Sequence, residues 1–358
     1  MRYKVRDVFD DVTKYGTKIK TSQYLEHGKY PIFDQGKDYI AGYTNEDEGI
    51  FQKVPVILFG DHTGILKYIT RPCFLGADGV KLLKPKDSNI VVKYLFYALN
   101  NVNIPDAGYS RHFKWLKEGE IPIPPKEQQS MIVEILDELS YIVQKEKEML
   151  IKFDELVKSR FLEMFGDPRE NPFKWPVVNF SDIAESKIGL TYKPADVKQG
   201  GVLVLRSGNI QDSKIFLQNN VYVMVSVKDE LLVKKNDILM CSRNGSTALV
   251  GKVALIPQFD ERVTFGAFMT VIRSCYFSYL FEYFQHPAFR EQISAGTSTI
   301  NQITQKMLAN IKLPLPPMEL QNQFTEFREK IDKSKMAVQK SLDELETLKK
   351  SLMQTYFG

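Results

Sequence analysis

The chain carries one unusual segment twice. Ile121-Pro-Ile-Pro-Pro-Lys-Glu-Gln-Gln129 is matched by Leu313-Pro-Leu-Pro-Pro-Met-Glu-Leu-Gln321, 192 positions later. Each copy leads into a long charged stretch, and both stretches end on Phe-Gly, at Phe165-Gly166 and Phe357-Gly358, again 192 apart. An Asp-Glu-Leu inside each, at 154–156 and 343–345, is displaced by three, so the copies slip locally and then recover. Self-similarity of so long a period constrains the architecture before any local propensity does. It parses the 358 residues as a variable segment (1–120), a helix-bearing repeat (121–166), a second variable segment (167–312) and a second repeat (313–358).

Pro-Pro before Glu-x-Gln suits a helix start, because proline fixes φ and its missing N–H would have no partner in the first turn. Glu127 and Glu319 then sit near the positive end of the helix dipole. In the second repeat Phe324, Ile331, Val338, Leu345 and Leu352 recur every seven residues, with Phe327, Leu342 and Leu348 extending the row. In the first, Ile132, Ile135, Leu139, Ile142, Met149, Phe153 and Leu156 form the apolar row, interrupted by Glu146 and Arg160. A period near 3.5 held over several heptads predicts coiled-coil packing. Either each helix packs on its own neighbouring segment, or the two pack on each other with pseudo-twofold symmetry. Paired helices of some 35–40 residues would make a rod roughly 55 Å long, at 1.5 Å rise per residue. An antiparallel pair would place the segment preceding each helix at opposite ends, as a spacer and ruler.

The variable segments read as short strands with a few helices, which makes the expected class α+β. Asp167-Pro-Arg-Glu-Asn-Pro172 is a turn-rich linker ahead of the second. Pro55-Val-Ile-Leu-Phe-Gly60 and Asp237-Ile-Leu-Met-Cys-Ser242 are buried-type strands. Each runs into a polar glycine-bearing loop, Gly60-Asp-His-Thr-Gly64 and Ser242-Arg-Asn-Gly-Ser-Thr247. Phe74-Leu-Gly-Ala-Asp78 parallels Phe265-Gly-Ala-Phe268, and Lys93-Tyr-Leu-Phe-Tyr97 parallels Ser278-Tyr-Leu-Phe281. Each segment closes on a polar stretch, Gly108-Tyr-Ser-Arg-His-Phe-Lys-Trp115 and Thr297-Ser-Thr-Ile-Asn-Gln-Ile-Thr304. One scaffold is therefore present twice with different loop chemistry, as two readers of two different sequences would need.

At these residues the chain resembles the specificity (S) subunits of type I restriction-modification systems. The duplicated Pro-x-Pro-Pro-x-Glu-x-Gln helix starts at 122–129 and 314–321 carry the resemblance, which covers essentially the whole chain. Gly60-Asp-His-Thr-Gly64 and Gly108-Tyr-Ser-Arg-His-Phe-Lys114 look like one type of target recognition domain. Leu205-Arg-Ser-Gly-Asn-Ile210, Asn236-Asp-Ile-Leu239 and Thr299-Ile-Asn-Gln-Ile-Thr304 look like another. One departure is Glu-Leu-Gln in the second helix start against Glu-Gln-Gln in the first. The resemblance implies a circular arrangement of two recognition domains, 1–120 and 167–312, alternating with two spacer helices that pair as an antiparallel coiled coil. It also implies double-stranded DNA as ligand and two methyltransferase subunits that bring S-adenosylmethionine and methylate adenine. Restriction subunits using ATP and Mg would join them, and this chain itself would hold no cofactor. The helix faces at Lys145, Glu146, Lys147, Glu148, Lys333 and Lys335 are docking candidates, or merely solvated.

DNA recognition needs cations and polar donors for phosphates, and forked or planar side chains for base edges. In the first segment Tyr109, Ser110, Arg111, His112 and Lys114 supply them, with Arg111 the leading base contact because guanidinium matches both guanine acceptors. Asp61 and His62 either contact bases or order their loop. Lys67, with Tyr68 and Arg71, is a phosphate contact or a solvated charge. In the second segment Arg206, Ser207 and Asn209 follow an apparent strand end, and Arg243, Asn244 and Ser246 lie on a glycine-bearing turn. Ser298, Asn301, Gln302 and Thr304, with Thr297, add donors and acceptors suited to adenine. Tyr192 and Lys193 reach the DNA backbone or simply pack.

The net charge of +4 permits a polyanion partner without demanding one. Three cysteines far apart suggest reduced, buried thiols and a cytoplasmic protein, and no Cys or His pair has zinc-ligand spacing. The charged start Met1-Arg-Tyr-Lys-Val-Arg-Asp lacks a signal-peptide pattern, and no apolar run approaches the ~18 residues of a membrane span. Asn171-Pro-Phe173 looks like the Asn-Pro-Pro-Phe of adenine methyltransferases but lacks a proline and any preceding glycine-rich strand. Gly245-Ser-Thr-Ala-Leu-Val-Gly-Lys252 looks like a phosphate loop but is one residue too long, and Val253 follows the lysine. With no nuclease core and no nucleophile beside a histidine, the expectation is a non-catalytic DNA-recognition subunit. A coiled-coil adaptor binding proteins is the alternative from another class, and an enzyme such as a nuclease a third.

Overall fold

Two helices of 40 residues, Lys126–Phe165 and Met318–Phe357, follow the two proline-rich starts in a computed structural model that describes residues 1–76, 79–105, 108, 110–294 and 301–358. The chain divides into two compact units, Met1–Met149 with Val338–Gly358, and Leu150–Ala337. The boundary thus falls inside the helices: each unit holds one variable segment, the start of one long helix and the end of the other.

In the first unit Arg2–Lys4 pairs antiparallel with Glu120–Pro122, closing the segment at its neck. A four-stranded antiparallel sheet follows in the order Phe9–Asp11, Val80–Pro85, Val56–Gly60, Leu66–Ile69. Val56–Gly60 is buried at every position, as a central strand covered on both faces must be. A second sheet pairs Tyr30–Phe33 antiparallel with Gly42–Thr44 and parallel with Phe74–Gly76. Helix Val92–Asn100 packs Tyr94, Leu95 and Leu99 into the core.

The second unit repeats this plan. Val177–Asn179 pairs with Lys312–Pro314 at its neck. Its four-stranded sheet runs Glu185–Ile188, Met269–Arg273, Ile238–Cys241, Val253–Leu255, strand for strand the order of the first. Val197–Leu205 pairs antiparallel with Val221–Val223 and parallel with Val263–Phe265, and helix Phe277–Gln285 stands where Val92–Asn100 stood. The fold is α+β, and the duplication of the helix starts extends to the recognition segments.

The repeated motif has a physical basis. Gln129 Nε2 donates to the Pro124 carbonyl at 2.8 Å, and Gln321 Nε2 donates to that of Pro316 at 2.7 Å. The buried glutamine therefore ties the first helical turn back to the Pro-Pro entry in both copies. Tyr94 and Tyr279 donate to the Pro122 and Pro314 carbonyls at 2.9 and 2.6 Å, joining each core helix to the same entry. The Phe-Gly ends are equally specific. Phe357 packs on Tyr94 at 5.3 Å between ring centroids, and Phe165 packs on Tyr279 at 5.2 Å. Gly166 then closes its helix at φ +77° while its N–H bonds the Leu162 carbonyl. Arg2 donates to the carbonyls of Phe357 and Gly358, so the first strand lies beside the end of the second long helix.

Within each unit the long helices pair antiparallel. In the first, Ser341 Oγ donates to Glu146 at 2.7 Å, and Leu352 and Phe357 pack with Ile132 and Leu136. In the second, Lys335 pairs with Asp154, and Phe324 lies 5.8 Å from Phe161. On the second helix Phe324 and Leu342 are buried and Ile331, Val338, Leu345 and Leu352 half-buried, while Leu348 is exposed and the neighbouring Lys349 half-buried. On the first helix the seam differs from the sequence expectation. Leu136, Val143, Leu150 and Val157 turn inward with Ile132, Leu139 and Phe153, leaving Ile135, Ile142, Met149 and Leu156 exposed. Glu146 and Lys335, expected on outward faces, instead lie in the seam. No helix among the described residues is long and apolar enough to cross a membrane.

Candidate nucleic-acid interface

In the second unit the central strand Ile238–Cys241 leads into a loop that its neighbours hold by the backbone. Ser242 and Arg243 N–H both donate to the Phe268 carbonyl, at 2.9 and 3.0 Å. Ile303 N–H donates to the Ser242 carbonyl, and Arg243 and Gln302 form an antiparallel bridge. Asn244 Nδ2 donates to Ser207 Oγ at 3.1 Å, while its Oδ1 accepts from Ser246 N–H in a local turn. A bridge between Leu190 and Gly266 brings in the loop carrying Tyr192 and Lys193. Four stretches of the sequence prediction therefore converge on the ends of the central strands.

The exposed members of that cluster are Arg206, Arg243, Ser246, Asn301, Gln302, Thr304 and Lys193, with Ser207, Asn244 and Tyr192 half-buried. Arg206 donates to the Asn219 carbonyl at 3.2 Å. Thr304 caps helix Gln305–Ala309, its hydroxyl accepting from Met307 N–H. Asn209 is a correction. It is buried, donates to the Phe216 carbonyl and accepts from Arg206 N–H, so its amide shapes the turn and does not face solvent.

In the first unit the corresponding loop after Val56–Gly60 is tied to the polar stretch near residue 112 by Asp61. Its carboxylate accepts from Phe113 N–H at 2.9 Å, and its carbonyl accepts from His112 N–H at 2.6 Å. Asp61 is buried, so of its two readings the loop-ordering one holds. It presents Arg111 and Lys114 to solvent, with His112, His62 and Ser110 half-buried beside them. Lys114 Nζ sits 4.1 Å from the Trp115 ring centroid, and the His112 ring packs on the same indole. Lys67 is the second correction: its ammonium is buried, donates to the Asp38 carbonyl at 2.6 Å and faces Asp34 at 3.6 Å. Burial pushes it below the ordinary lysine range and Asp34 pulls it back. It serves the core, because a phosphate would have no access. Tyr109 and Ser298 lie outside the described residues.

The family described as type I restriction modification DNA specificity domain matches residues 1–152 and 172–347. The chain belongs to this specificity-subunit family. Among curated relatives, the putative MjaX specificity subunit of Methanocaldococcus jannaschii is 26% identical over 95% of this chain and 86% of its own length. The MjaVIII subunit of the same organism is 25% identical over 78% and 74%. The Escherichia coli EcoR124I/EcoR124II specificity subunit is 32% identical, but the match spans 37% of this chain and 35% of that protein. In fold the chain resembles the S subunit from M. genitalium, with TM-score 0.62 at 16% identity, over 100% of this chain and 96% of the other. A chain from a structure of a type I R-M system has TM-score 0.57 at 15% identity, covering 100% and 97%.

For a specificity subunit, one surface residue was missing from the sequence reading. Phe268 is 59% exposed, and the Arg243 guanidinium lies 5.4 Å from its ring centroid. The signal was present in the Phe-Gly-Ala-Phe stretch, which reads as scaffold when compared with its first-segment counterpart. Only the fold shows that its final aromatic reaches the loop of Arg243.

Proposed function

We propose that this specificity subunit reads a bipartite, asymmetric DNA target, the recognition domain in 1–120 reading one half and that in 167–312 the other. One observation carries this. Two sheets of identical strand order end in loops of different chemistry: Gly60-Asp-His-Thr-Gly64 after Val56–Gly60, and Ser242-Arg-Asn-Gly-Ser-Thr247 after Ile238–Cys241. The same frame with changed side chains gives two readers of unlike half-sites. Positioning by phosphate contacts falls to exposed cations such as Lys114 and Lys193, and base reading to Arg111, Arg206, Arg243, Asn301 and Gln302. The paired spacer helices, 121–166 and 313–358, set the distance between the halves.

Two methyltransferase subunits dock on the helices, bringing S-adenosylmethionine for adenine methylation, and restriction subunits using ATP and Mg join that core in the cytoplasm. The exposed row Ile135, Ile142 and Met149 in the first unit supports docking there, because a second apolar heptad row on a paired helix suits a further helix. This chain contributes recognition and no catalytic group. Mapping of methylated adenine in cells carrying a type I methyltransferase, with and without the chain, tests the reading. A bipartite motif that appears only with the chain supports it, and methylation independent of the chain overturns it.

A further inference from the structure

In the second unit Arg160, Arg169, Arg262, Arg273 and Arg328 each pair with a carboxylate, whereas Arg206, Arg243 and Arg290 have no ion pair among the described residues. Of these three, Arg206 and Arg290 donate to the carbonyls of Asn219 and Val250, and Arg243 is set differently. Its guanidinium lies instead over an aromatic ring that is itself mostly in water. The backbones of both residues are fixed. The Phe268 carbonyl receives the N–H groups of Ser242 and Arg243, and Gln302 bridges Arg243 from its other side. The neighbours of Phe268 are conventional, since Met269 and Val271 are buried. An aromatic whose backbone is fixed, exposed beside a guanidinium without a carboxylate partner, offers a cation fork and an apolar contact side by side.

In the major groove, guanine presents two acceptors that a guanidinium bonds at once, and thymine presents a 5-methyl group that takes an apolar contact. Successive bases lie ~3.4 Å apart along a strand, so two groups 5.4 Å apart span between one and two base steps, and adjacent bases fall within their joint reach. We propose that Arg243 and Phe268 form one two-part reading element for guanine beside a thymine, the ring both orienting the guanidinium and sensing the methyl. The inference rests on the proposed DNA-reading function of the second domain.

The test uses the full chain co-expressed with a type I methyltransferase subunit and selection of bound duplexes from a random pool. The wild-type motif is expected to contain guanine next to thymine in one half. Replacing that thymine by deoxyuridine, which lacks only the methyl, should weaken wild-type binding about fourfold, the burial value of one methyl group. Phe268→Ala should lose the distinction between thymine and deoxyuridine, while Phe268→Leu, which keeps an apolar contact, should retain it. Arg243→Ala should relax the guanine position by tenfold or more, the order of a bidentate contact. A wild-type motif with no such step, or wild-type protein indifferent to deoxyuridine, overturns the inference without any variant having to fold. No enriched duplex with wild-type protein would instead sink the DNA-reading function itself, and the inference with it.

Discussion

Single side chains decide how each recognition segment is held. Phe357 and Phe165 are nearly fully buried against Tyr94 and Tyr279, and truncating either leaves a large cavity. Phe357→Ala is expected to cost about 3–5 kcal/mol, read as a loss of unfolding free energy in urea, and Phe165→Ala a similar amount. A change below about 1 kcal/mol would show that the Phe-Gly ends do not anchor the segments. The thiols give a second check. Cys275 is exposed, while Cys73 and Cys241 are buried and Cys73 is pushed up to about 12 by burial. One thiol per native chain should react with a thiol reagent and three after denaturation; rapid labelling of three in the native state would contradict the packing. At the residue scale the sequence left the inward-facing polar groups unmarked. Asp61 stands beside His62 in one polar loop, Asn209 follows Arg206 and Ser207, and Lys67 lies on the strand after the first loop, but polar residue type does not reveal which side chains turn inward.

The helices were legible as elements and ambiguous in phase. Ile132, Leu139 and Phe153 combine at 3–4 spacing with either Ile135, Ile142, Met149 and Leu156 or Leu136, Val143, Leu150 and Val157. Periodicity cannot choose between flanking rows one position apart, whereas packing against the partner helix does. The row left outside gives a prediction: Ile142→Lys should preserve the fold while weakening co-purification with the methyltransferase subunit at least tenfold. Undiminished assembly would place docking elsewhere. In the second unit a buried ion pair joins helix Phe277–Gln285 to the second long helix, Glu282 lying 3.4 Å from Arg328, whose guanidinium stacks on Phe281. Burial raises the Glu282 carboxyl above its ordinary 4.5 and Arg328 pulls it back. A raised carboxyl keeps its proton longer in the folded state, so stability falls as pH rises from about 4.5 to the folded value. Arg328→Met should cost about 3–5 kcal/mol at neutral pH and regain much of that at pH 4. Urea unfolding at the two pH values checks this, and an equal loss at both would contradict it.

At the scale of the molecule, duplication was the feature most fully written in the sequence. The repeat of Pro-Pro-x-Glu-x-Gln follows from one glutamine amide capturing one proline carbonyl in each copy, and such a local constraint keeps its residues at fixed spacing. The strand pairings of the recognition segments were less visible, because short strands joined by variable loops carry weak periodicity. Least visible was the division into units that each combine the start of one helix with the end of the other, since it depends on contacts such as Tyr94 with Phe357, far apart in the chain. The central claim is that each domain reads one half of the target independently. Replacing 167–312 with the corresponding segment of another specificity subunit, then mapping methylated adenines in the cell, tests this most directly. The account predicts a motif with one half changed and the other half and spacer retained; a motif altered in both halves would contradict it.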